Sequence, residues 1–302
     1  MTIKNIGIVG YGSIGQRHHQ ILSSISNEFK FFIKTQQQGI KNSFNSLESF
    51  SSQNLDYIII SNPTSLHYET LKFLDEQYKK IKFLVEKPLF NNFKSFSSRS
   101  NFYFVGYNLR FHQIINEFLK FINDKDIISI SIKTYSYLPN WRKNIDYQSS
   151  ASAKKSLGGG VLRDLSHEID LLNFLFGALK FTYADSRKVS NLDIETDDFL
   201  LACGKLESGA PFSIELNYFS RLNSREIFVE TSQESIKLDL ANFNLTIIGD
   251  TISHSEYDSN INSSYKAMHE AIITNNFQDV CSLQEGLMVV EQIQQLESLS
   301  IS

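Results

Sequence analysis

The sequence predicts an α/β protein in two parts: an N-terminal domain built on a parallel sheet, and a C-terminal α+β domain whose sheet is largely antiparallel. Three observations indicate this fold class. A glycine-rich turn follows the first apolar run, β-rich runs alternate with helical segments to about residue 106, and beyond about residue 115 apolar and polar residues alternate with period two. We expect the domains at residues 1–115 and 116–302.

The glycine-rich turn GYGSIG at residues 10–15 lies between an apolar run and a helix-like stretch. Gly10 allows a tight turn, Gly12 lets the backbone approach a diphosphate, and Gly15 lets the helix pack on the strand. The helix N-terminus adds N–H groups and a positive dipole end. The turn therefore predicts a Rossmann domain that binds a dinucleotide, with a purely structural turn as the alternative. The residues expected at the cofactor here are Gly10, Gly12, Ser13 and Ile14.

Strands are expected in both domains, but with different patterns. In the first domain they lie at residues 3–9, 29–33, 57–61, 83–85 and 102–105. Consecutive apolar residues within them indicate a sheet covered by helices on both faces. In the second domain, alternation at residues 128–132, 199–203, 212–216, 226–230 and 235–240 indicates a sheet with one covered face. Helices are expected at about 161–176, 262–275 and 283–297, and a surface loop at about 255–264.

The composition is that of an ordinary globular protein, with 41% hydrophobic and 21% charged residues. The net charge of −4 gives no drive toward nucleic acid or an anionic membrane, and no apolar run is long enough to span a bilayer. Because the first strand is expected to begin at about residue 3, we expect no signal peptide. Cys203 and Cys281 have no metal-like spacing, so we expect two reduced core thiols, no metal and a cytoplasmic location.

Four further segments carry chemistry: NPTSLH at 62–67, EKP at 86–88, GYNLRF at 106–111 and GGGVLRDLSHEID at 158–170. The first three follow predicted strands, at the edge where open α/β sheets bind ligands. Together with the glycine turn, and in this order along essentially the whole chain, they resemble the Gfo/Idh/MocA oxidoreductases. A series of motifs resembles a branch of that family associated with surface-sugar and nonulosonic-acid pathways: Trp141-Arg142, Asp146-Tyr147, GGG at 158–160 and DLSHEID at 164–170.

Lys87 is a cation placed beside a proline at the mouth of the predicted parallel sheet. Pro88 keeps the preceding residue extended, which holds Lys87 at the strand end rather than in a helix. Such a lysine can bind a substrate hydroxyl and polarise it. We therefore predict that Lys87 is catalytic and contacts both substrate and cofactor; a solvated lysine in a turn is the alternative.

The predicted helix after the triple glycine combines packing and chemistry. An apolar stripe and an adjacent polar arc are expected, formed respectively by Leu165, Ile169, Leu172 and Phe176 and by Asp164, His167 and Glu168. An imidazole titrates near neutral pH and suits general acid or base chemistry. The resemblance implies that Asp164 and His167 are catalytic and substrate-binding. Many family members place the histidine four residues after the aspartate, not three, so either Asp164 or Glu168 is the partner of the imidazole.

The resemblance implies further site residues. Those expected at the cofactor are Asn62, Pro63, Thr64, His67 and Glu86, and those expected at the substrate are Asn108, Arg110, Trp141 and Arg142. An Asn-Pro turn explains residues 62–67 nearly as well. Tryptophan beside arginine suits stacking on a sugar and binding a phosphate or carboxylate, although a loop anchored by a buried tryptophan is the alternative. His18 and His19 are expected to be structural or solvated.

An acidic residue about 20 positions after the glycine turn binds the ribose 2′-hydroxyl in NAD enzymes. This chain has Lys34 there and no carboxylate, which favours NADP over NAD. The sequence therefore predicts an NAD(P)-dependent oxidoreductase that moves a hydride between a sugar-like secondary alcohol, free, phosphorylated or nucleotide-linked, and the nicotinamide. A catalytically silent sugar or cofactor sensor and a reductase of a non-sugar carbonyl or imine are the alternatives. The resemblance implies a homodimer or homotetramer.

Overall fold

The structure, a computed structural model, describes residues 3–97, 100–142 and 146–301. The described residues form two compact units, and each unit has its own sheet. Unit 1 contains those of Met1–Phe111 and Asn262–Val290, and unit 2 contains those of His112–Ile261 and Glu291–Ser302.

Unit 1 is built on a six-stranded parallel sheet. Its strands are β1 (Asn5–Val9), β2 (Lys30–Lys34), β3 (Ser43–Phe44), β4 (Tyr57–Ile60), β5 (Lys82–Val85) and β6 (Phe102–Val105), in the order β3-β2-β1-β4-β5-β6. Helices α1 (Ser13–Ile25), α2 (Leu47–Ser51) and α3 (His67–Gln77) connect the early strands. The strand order reverses between β1 and β4, and ligands bind at the carboxyl ends of strands at such a switch point.

Unit 2 is built on an eight-stranded sheet. Its strands are β7 (Ile127–Tyr137), β8 (Leu179–Arg187), β9 (Phe199–Leu206), β10 (Pro211–Asn217), β11 (Phe219–Thr231), β12 (Ser235–Asp239), β13 (Asn244–Ile248) and β14 (Ile252–Glu256), in the order β14-β13-β12-β11-β7-β10-β9-β8. The β7–β10 pair is parallel and the other pairs are antiparallel. The predicted fold class, a Rossmann domain with an α+β domain, is confirmed.

The remaining helices are α4 (Gln113–Ile122), α5 (Val161–Asp164), α6 (His167–Phe176), α7 (Ile261–Thr274) and α8 (Leu283–Ile301). The surface loop expected at 255–264 is therefore shorter, because β14 ends at residue 256 and α7 begins at residue 261. The single helix expected at 161–176 is two helices. They are separated at residues 165–166 by a turn in which Ser166 N–H donates to the Arg163 carbonyl, three residues back.

The C-terminal helices differ from the expected division of the chain. The sequence pattern assigns all of 116–302 to the second domain, whereas α7 from residue 262 onward and the first part of α8 belong to unit 1. The reason is packing: Met268, His269 and Ile272 of α7 are buried, and the ammonium of Lys82 on β5 donates to the Ile272 carbonyl at 2.5 Å. The chain thus returns to its first domain near its end.

Candidate functional site

The glycine turn has the geometry that its sequence predicts. Gly10 has a φ of +90°, and a Cβ there would lie 2.5 Å from the Asn62 backbone nitrogen. A Cβ on Gly15 would lie 2.1 Å from the Gly10 carbonyl oxygen, so helix and strand approach closely at that point. Gly12 is different, because its φ is −74° and a Cβ there would meet no atom of the described chain within 4 Å. Gly12 therefore borders open space beside the N-terminus of α1.

A cavity of about 620 Å³ in unit 1 brings several of the predicted cofactor residues together. Gly10, Lys34, Asn62 and Pro63 all contribute to its wall. The other lining residues are Val9, Thr35, Gln36, Leu47, Leu66, Glu69, Thr70 and Phe73. The cavity therefore lies at the carboxyl ends of β1, β2 and β4, where the switch point predicts a ligand.

Two observations test whether this cavity fits a dinucleotide. The N-cap residue of α1 is Gly12, which has no side chain to cap the helix, so the first N–H groups of α1 are available to an anion. The amide of Asn62 donates to the Thr70 hydroxyl at 2.9 Å, but its buried Oδ1 accepts no hydrogen bond from the described residues. A buried acceptor without a donor is costly and suits a bound group that supplies one. The residues present fit the cofactor.

His67 was predicted at the cofactor, and the structure places it inside unit 1, 1% exposed. Its Nε2 lies 2.9 Å from the Asn62 carbonyl, and its Nδ1 lies 3.2 Å from the carbonyls of Pro88 and Leu89. Burial lowers the pKa of His67. This side chain therefore joins the two loops that carry Asn62 and Lys87, and it does not line the 620 Å³ cavity.

Glu86 is likewise buried, and its Oε1 lies 2.9 Å from Nε2 of His18. Burial raises the pKa of Glu86, but the hydrogen bond from His18 and the positive charge of Lys87 outweigh it and leave the pKa lowered. The carboxylate is therefore ionised directly beside Lys87. Lys87 itself is half-buried at the end of β5, its N–H donates to Oε2 of Glu86 at 3.3 Å, and its bond to Pro88 is cis.

Asn108 and Arg110 were predicted at the substrate, and both are buried within unit 1. The Asn108 amide donates to the Ser264 hydroxyl on α7 at 2.7 Å. The Arg110 guanidinium donates to the Glu285 carboxylate on α8 at 2.7 Å. These bonds anchor the two C-terminal helices in unit 1, which gives both residues a structural role.

In unit 2, the triple glycine leads into α5 through a close contact with Asp197. Gly160 has a φ of +121°, and a Cβ there would lie 2.2 Å from Oδ1 of Asp197. The other oxygen of this carboxylate accepts the Leu162 N–H at 3.0 Å, and the Asp197 carbonyl accepts the Val161 N–H at 3.1 Å. Asp197 therefore caps the helix that carries Asp164. No motif signalled Asp197, which lies 33 residues after Asp164 in the sequence.

Asp164 is the last residue of α5, and its Oδ2 accepts a hydrogen bond from the Tyr218 hydroxyl at 2.6 Å. Burial raises the pKa of Tyr218 well above its usual value, and the Asp164 charge raises it further, so the phenol stays protonated and donates. His167 begins α6 after the turn and is 8% exposed.

Glu168 was expected on a polar arc, and the structure buries it, 1% exposed. Its Oε1 accepts hydrogen bonds from the Thr134 hydroxyl at 2.8 Å and from the Arg225 Nε at 2.7 Å. Asp170 on the same helix is also fully buried. The expected apolar stripe is thus buried at Leu165, Ile169 and Leu172, but the carboxylate of Glu168 on the adjacent arc is buried with it.

A second cavity, of about 330 Å³, lies in unit 2 beside this helix. Its lining combines aromatic, hydroxyl, amide and guanidinium groups: Thr134, Tyr135, Ser136, Trp141, Leu165, Asn223, Ser224, Arg225, Leu240, Ala241 and Phe243. Trp141 was predicted at the substrate, is 39% exposed and packs edge-on against Tyr218 with ring centroids 5.1 Å apart. Arg142 is exposed beside it. Sequence reasoning missed Arg225 and Thr134. Thr134 had a signal, because it follows Ile130 and Ile132 on the buried face of β7.

The structure was also searched for membrane-spanning helices, metal sites and disulfides. No helix in residues 3–97, 100–142 and 146–301 has the length and hydropathy needed to cross a bilayer. The same residues contain no group of three or more His, Cys, Asp or Glu side chains placed to hold a metal ion. Cys203 and Cys281 are free thiols, and only Cys281 is fully buried, so Cys203 is not the core residue expected.

Comparisons with known proteins match both units to one family. Residues 4–98 match the model described as the oxidoreductase family, NAD-binding Rossmann fold, and residues 126–237 match the Gfo/Idh/MocA C-terminal domain. A sequence comparison with curated proteins finds no match.

Three of the similar solved structures share the fold of the whole chain. The first is a super-repressor mutant of Gal80p from Saccharomyces cerevisiae, with a TM-score of 0.82 and 17% sequence identity; the match covers 99% of this chain and 96% of that one. The second is a levoglucosan dehydrogenase complexed with NADH, with a TM-score of 0.81 and 16% identity, covering 99% of this chain and 97% of that one. The third is the WlbA dehydrogenase from Bordetella pertussis complexed with NADH and UDP-GlcNAcA, with a TM-score of 0.79 and 17% identity, covering 99% of this chain and 97% of that one.

The open space at Gly12 generates a first prediction. Gly12→Val should abolish NAD(P)H binding, because the new side chain occupies the volume beside the α1 N-terminus without straining a backbone whose φ is −74°. Binding is measured by titrating the fluorescence of the reduced cofactor, and folding by circular dichroism. A folded variant with undiminished binding would show that the diphosphate lies elsewhere.

The cap formed by Asp197 generates a second prediction. Burial raises the pKa of Asp197 from 3.8 to about 6, so the folded protein holds a proton that the unfolded chain has already released. The contribution of Asp197 to the free energy of unfolding should therefore fall by up to about 3 kcal/mol as pH rises through that interval. Asp197→Asn cannot titrate. Urea unfolding of both proteins across this pH range checks the difference between them; a difference independent of pH would contradict the assignment.

Proposed function

The chain belongs to the Gfo/Idh/MocA family of oxidoreductases, and from that premise we propose that it transfers a hydride between a nicotinamide cofactor and a secondary alcohol of a sugar-like substrate, free, phosphorylated or nucleotide-linked. One observation carries this proposal: Lys87, with the ionised Glu86 beside it, lies at the carboxyl edge of the same parallel sheet that forms the 620 Å³ cavity. A positioned cation and a dinucleotide-sized cavity in one unit support redox chemistry on a hydroxyl group.

We assign the cofactor to the cavity of unit 1. The nicotinamide, when bound, supplies the hydride acceptor or donor. The N-terminus of α1 and the backbone at Gly12 would hold the diphosphate, and Oδ1 of Asn62 would accept a hydrogen bond from the bound molecule. The turn Thr64–Leu66 follows Pro63, and its Leu66 lines the same cavity.

We assign Lys87 the role of binding and polarising the reacting oxygen. An ammonium group that donates to this oxygen stabilises the negative charge that develops as the hydroxyl proton leaves. The ionised carboxylate of Glu86 attracts the same ammonium and restricts its position. A point charge held in place in this way needs no reorganisation during the reaction.

We assign His167 the exchange of the hydroxyl proton, because alcohol oxidation releases one proton as well as one hydride. Asp164 would accept a hydrogen bond from a neighbouring hydroxyl of the substrate, in addition to the one that it accepts from Tyr218. The Tyr218 bond fixes the carboxylate at the end of α5. In this arrangement Asp164 binds and orients, and His167 moves the proton.

The 330 Å³ cavity of unit 2 supports a polyol rather than an apolar carbonyl compound. Trp141 offers a partly exposed ring on which a sugar face can stack, and Thr134 and Ser136 add hydroxyl groups. Arg225 keeps guanidinium donors beyond the Nε that it gives to Glu168, and Arg142 lies beside Trp141. These cations suit a substrate that carries a phosphate or carboxylate.

NADP is the proposed cofactor. Lys34 ends β2 and lines the cavity with Thr35 and Gln36, where an acidic residue would accept the ribose 2′-hydroxyl in an NAD enzyme. A lysine at this position suits a 2′-phosphate.

A catalytically silent sensor is the second candidate, because one solved structure of the same fold is a super-repressor mutant of Gal80p. Lys87 and His167 favour the enzyme, since a sensor needs neither a polarising cation nor a proton carrier. Turnover separates the two functions directly.

We also propose a cytoplasmic homodimer or homotetramer. The two free thiols support a reducing compartment. Large apolar side chains exposed on strands of unit 2, among them Ile128 and Tyr183, support an interface between copies of the chain. Light scattering of the purified protein gives the oligomeric state.

Lys34→Asp should shift the ratio of the dissociation constants for the two cofactors about tenfold toward NAD, because one charge-assisted contact with the 2′-phosphate is replaced by repulsion. Isothermal titration with NADPH and NADH measures the ratio. An unchanged ratio would mean that Lys34 does not contact the 2′ position.

Lys87→Met keeps the aliphatic stem and removes the charge. Turnover should fall by about two orders of magnitude or more, the usual scale for an electrostatic catalytic group, while cofactor affinity and thermal stability stay near wild type. Lys120→Met, at an exposed position of α4, is the matched control and should leave turnover unchanged. If turnover in Lys87→Met stayed near wild type, Lys87 would have no catalytic role and would only stabilise the structure.

A further inference from the structure

Behind Glu86, three hydrogen bonds form a continuous buried chain across unit 1. Nε2 of His18 lies 2.9 Å from Oε1 of Glu86, Nδ1 of His18 lies 2.8 Å from Nε2 of His269, and Nδ1 of His269 lies 2.9 Å from the Tyr57 hydroxyl. His18, His269 and Tyr57 are each 0% exposed. They come from α1, α7 and β4, so three separate elements converge on one carboxylate.

The groups at the two ends of this hydrogen-bond chain limit the directions that its bonds can take. An ionised carboxylate accepts only, and a neutral imidazole donates from one nitrogen and accepts at the other. Burial and the Glu86 charge raise the pKa of Tyr57 well above its usual value, so its phenol keeps its proton. Burial lowers the pKa of His269 well below its usual value, so this imidazole is neutral.

With His18 as an imidazolium, the bonds to His269 and Tyr57 would reverse and leave the Tyr57 O–H without an acceptor in this hydrogen-bond chain, whereas with a neutral His18 every donor has one. Tyr57 O–H donates to Nδ1 of His269, Nε2–H of His269 donates to Nδ1 of His18, and Nε2–H of His18 donates to Glu86. The other charged or titratable groups around this carboxylate are Lys87 and His67. Tyr265 packs edge-on against the His18 ring, and the Arg17 guanidinium lies over the Tyr265 ring.

We propose, on the basis of the proposed function, that Tyr57, His269 and His18 are positioning residues for Lys87. Three aligned hydrogen bonds supply Glu86 with a fixed N–H donor, and the charge of Glu86 in turn attracts the ammonium of Lys87. This hydrogen-bond chain fixes the position of Glu86 and does not conduct protons, because its far end at Tyr57 is fully buried. Neighbouring bonds that polarise one another in the same direction strengthen the hold on the carboxylate.

The tautomers of His18 and His269 test the hydrogen-bond chain in the wild-type protein, and measuring them needs no activity assay. Nitrogen-15 NMR of histidine-labelled protein at neutral pH should show His18 and His269 both as neutral Nε2–H imidazoles, assigned by the loss of signals in single His variants. An imidazolium or an Nδ1–H tautomer at His18 would reverse or break the chain and overturn the proposal.

Tyr57→Phe tests the positioning role. Loss of the first donor should lower kcat about tenfold, as expected for one buried hydrogen bond, and should leave the Kd for NADPH near wild type. Tyr78→Phe is the matched control, because it also removes a phenol hydrogen bond in unit 1, the 3.0 Å bond to the Gln53 carbonyl, but lies outside the chain. Equal kcat values in the two variants would overturn the positioning role.

A pair of variants at His18 separates positioning from simple packing. The amide nitrogen of His18→Gln can occupy the place of Nε2 and donate to Glu86, whereas the shorter side chain of His18→Asn cannot reach it. Kcat should be higher in His18→Gln than in His18→Asn, and equal values in two folded variants would contradict the proposal. A wild-type protein that turns over no sugar would instead contradict the proposed function, and with it the positioning role.

Discussion

The buried carboxylate of Glu86 is the group on which the organisation of unit 1 depends. An uncompensated charge inside a protein costs several kcal/mol, so it requires donors from the surrounding elements. His18 supplies one, and His269 on α7 supports His18. The position of Glu86 also explains why residue 106 is a glycine, because a Cβ there would lie 2.7 Å from Oε1 of Glu86. The requirement helps to explain why a helix from the end of the chain belongs to the first unit.

In unit 2, one buried carboxyl group, Glu168, and two partly buried ones, Asp164 and Asp197, are also held by hydrogen bonds. Asp197 caps α5, Asp164 at the end of that helix is bonded to Tyr218, and Glu168 on α6 is held by Thr134 and Arg225. Each carboxylate therefore has a donor from a different part of the chain. The residues assigned to chemistry stand on short helices whose positions these bonds fix, as a preorganised site requires.

Local sequence patterns predict much of this fold, because glycine turns and hydrophobic periodicity act over a few residues. The parallel sheet, the antiparallel sheet and the glycine turn follow from them. The sequence does not reveal β3, which has two residues, or β14, whose residues are all exposed and lack alternation. Nor does it predict the turn that separates α5 from α6. The partners of the site residues were missed for a different reason: His18 and His269 are 251 positions apart, and no local pattern joins them.

The central claim is that this chain oxidises or forms a secondary alcohol on a sugar-like molecule. The most direct measurement follows nicotinamide absorbance while the purified protein is mixed with NADP or NAD and a panel of free, phosphorylated and nucleotide-linked sugars, with the corresponding keto sugars and reduced cofactor for the reverse direction. Cofactor turnover is expected with at least one class of the panel. A folded protein that binds NADPH but turns over no member in either direction would contradict it.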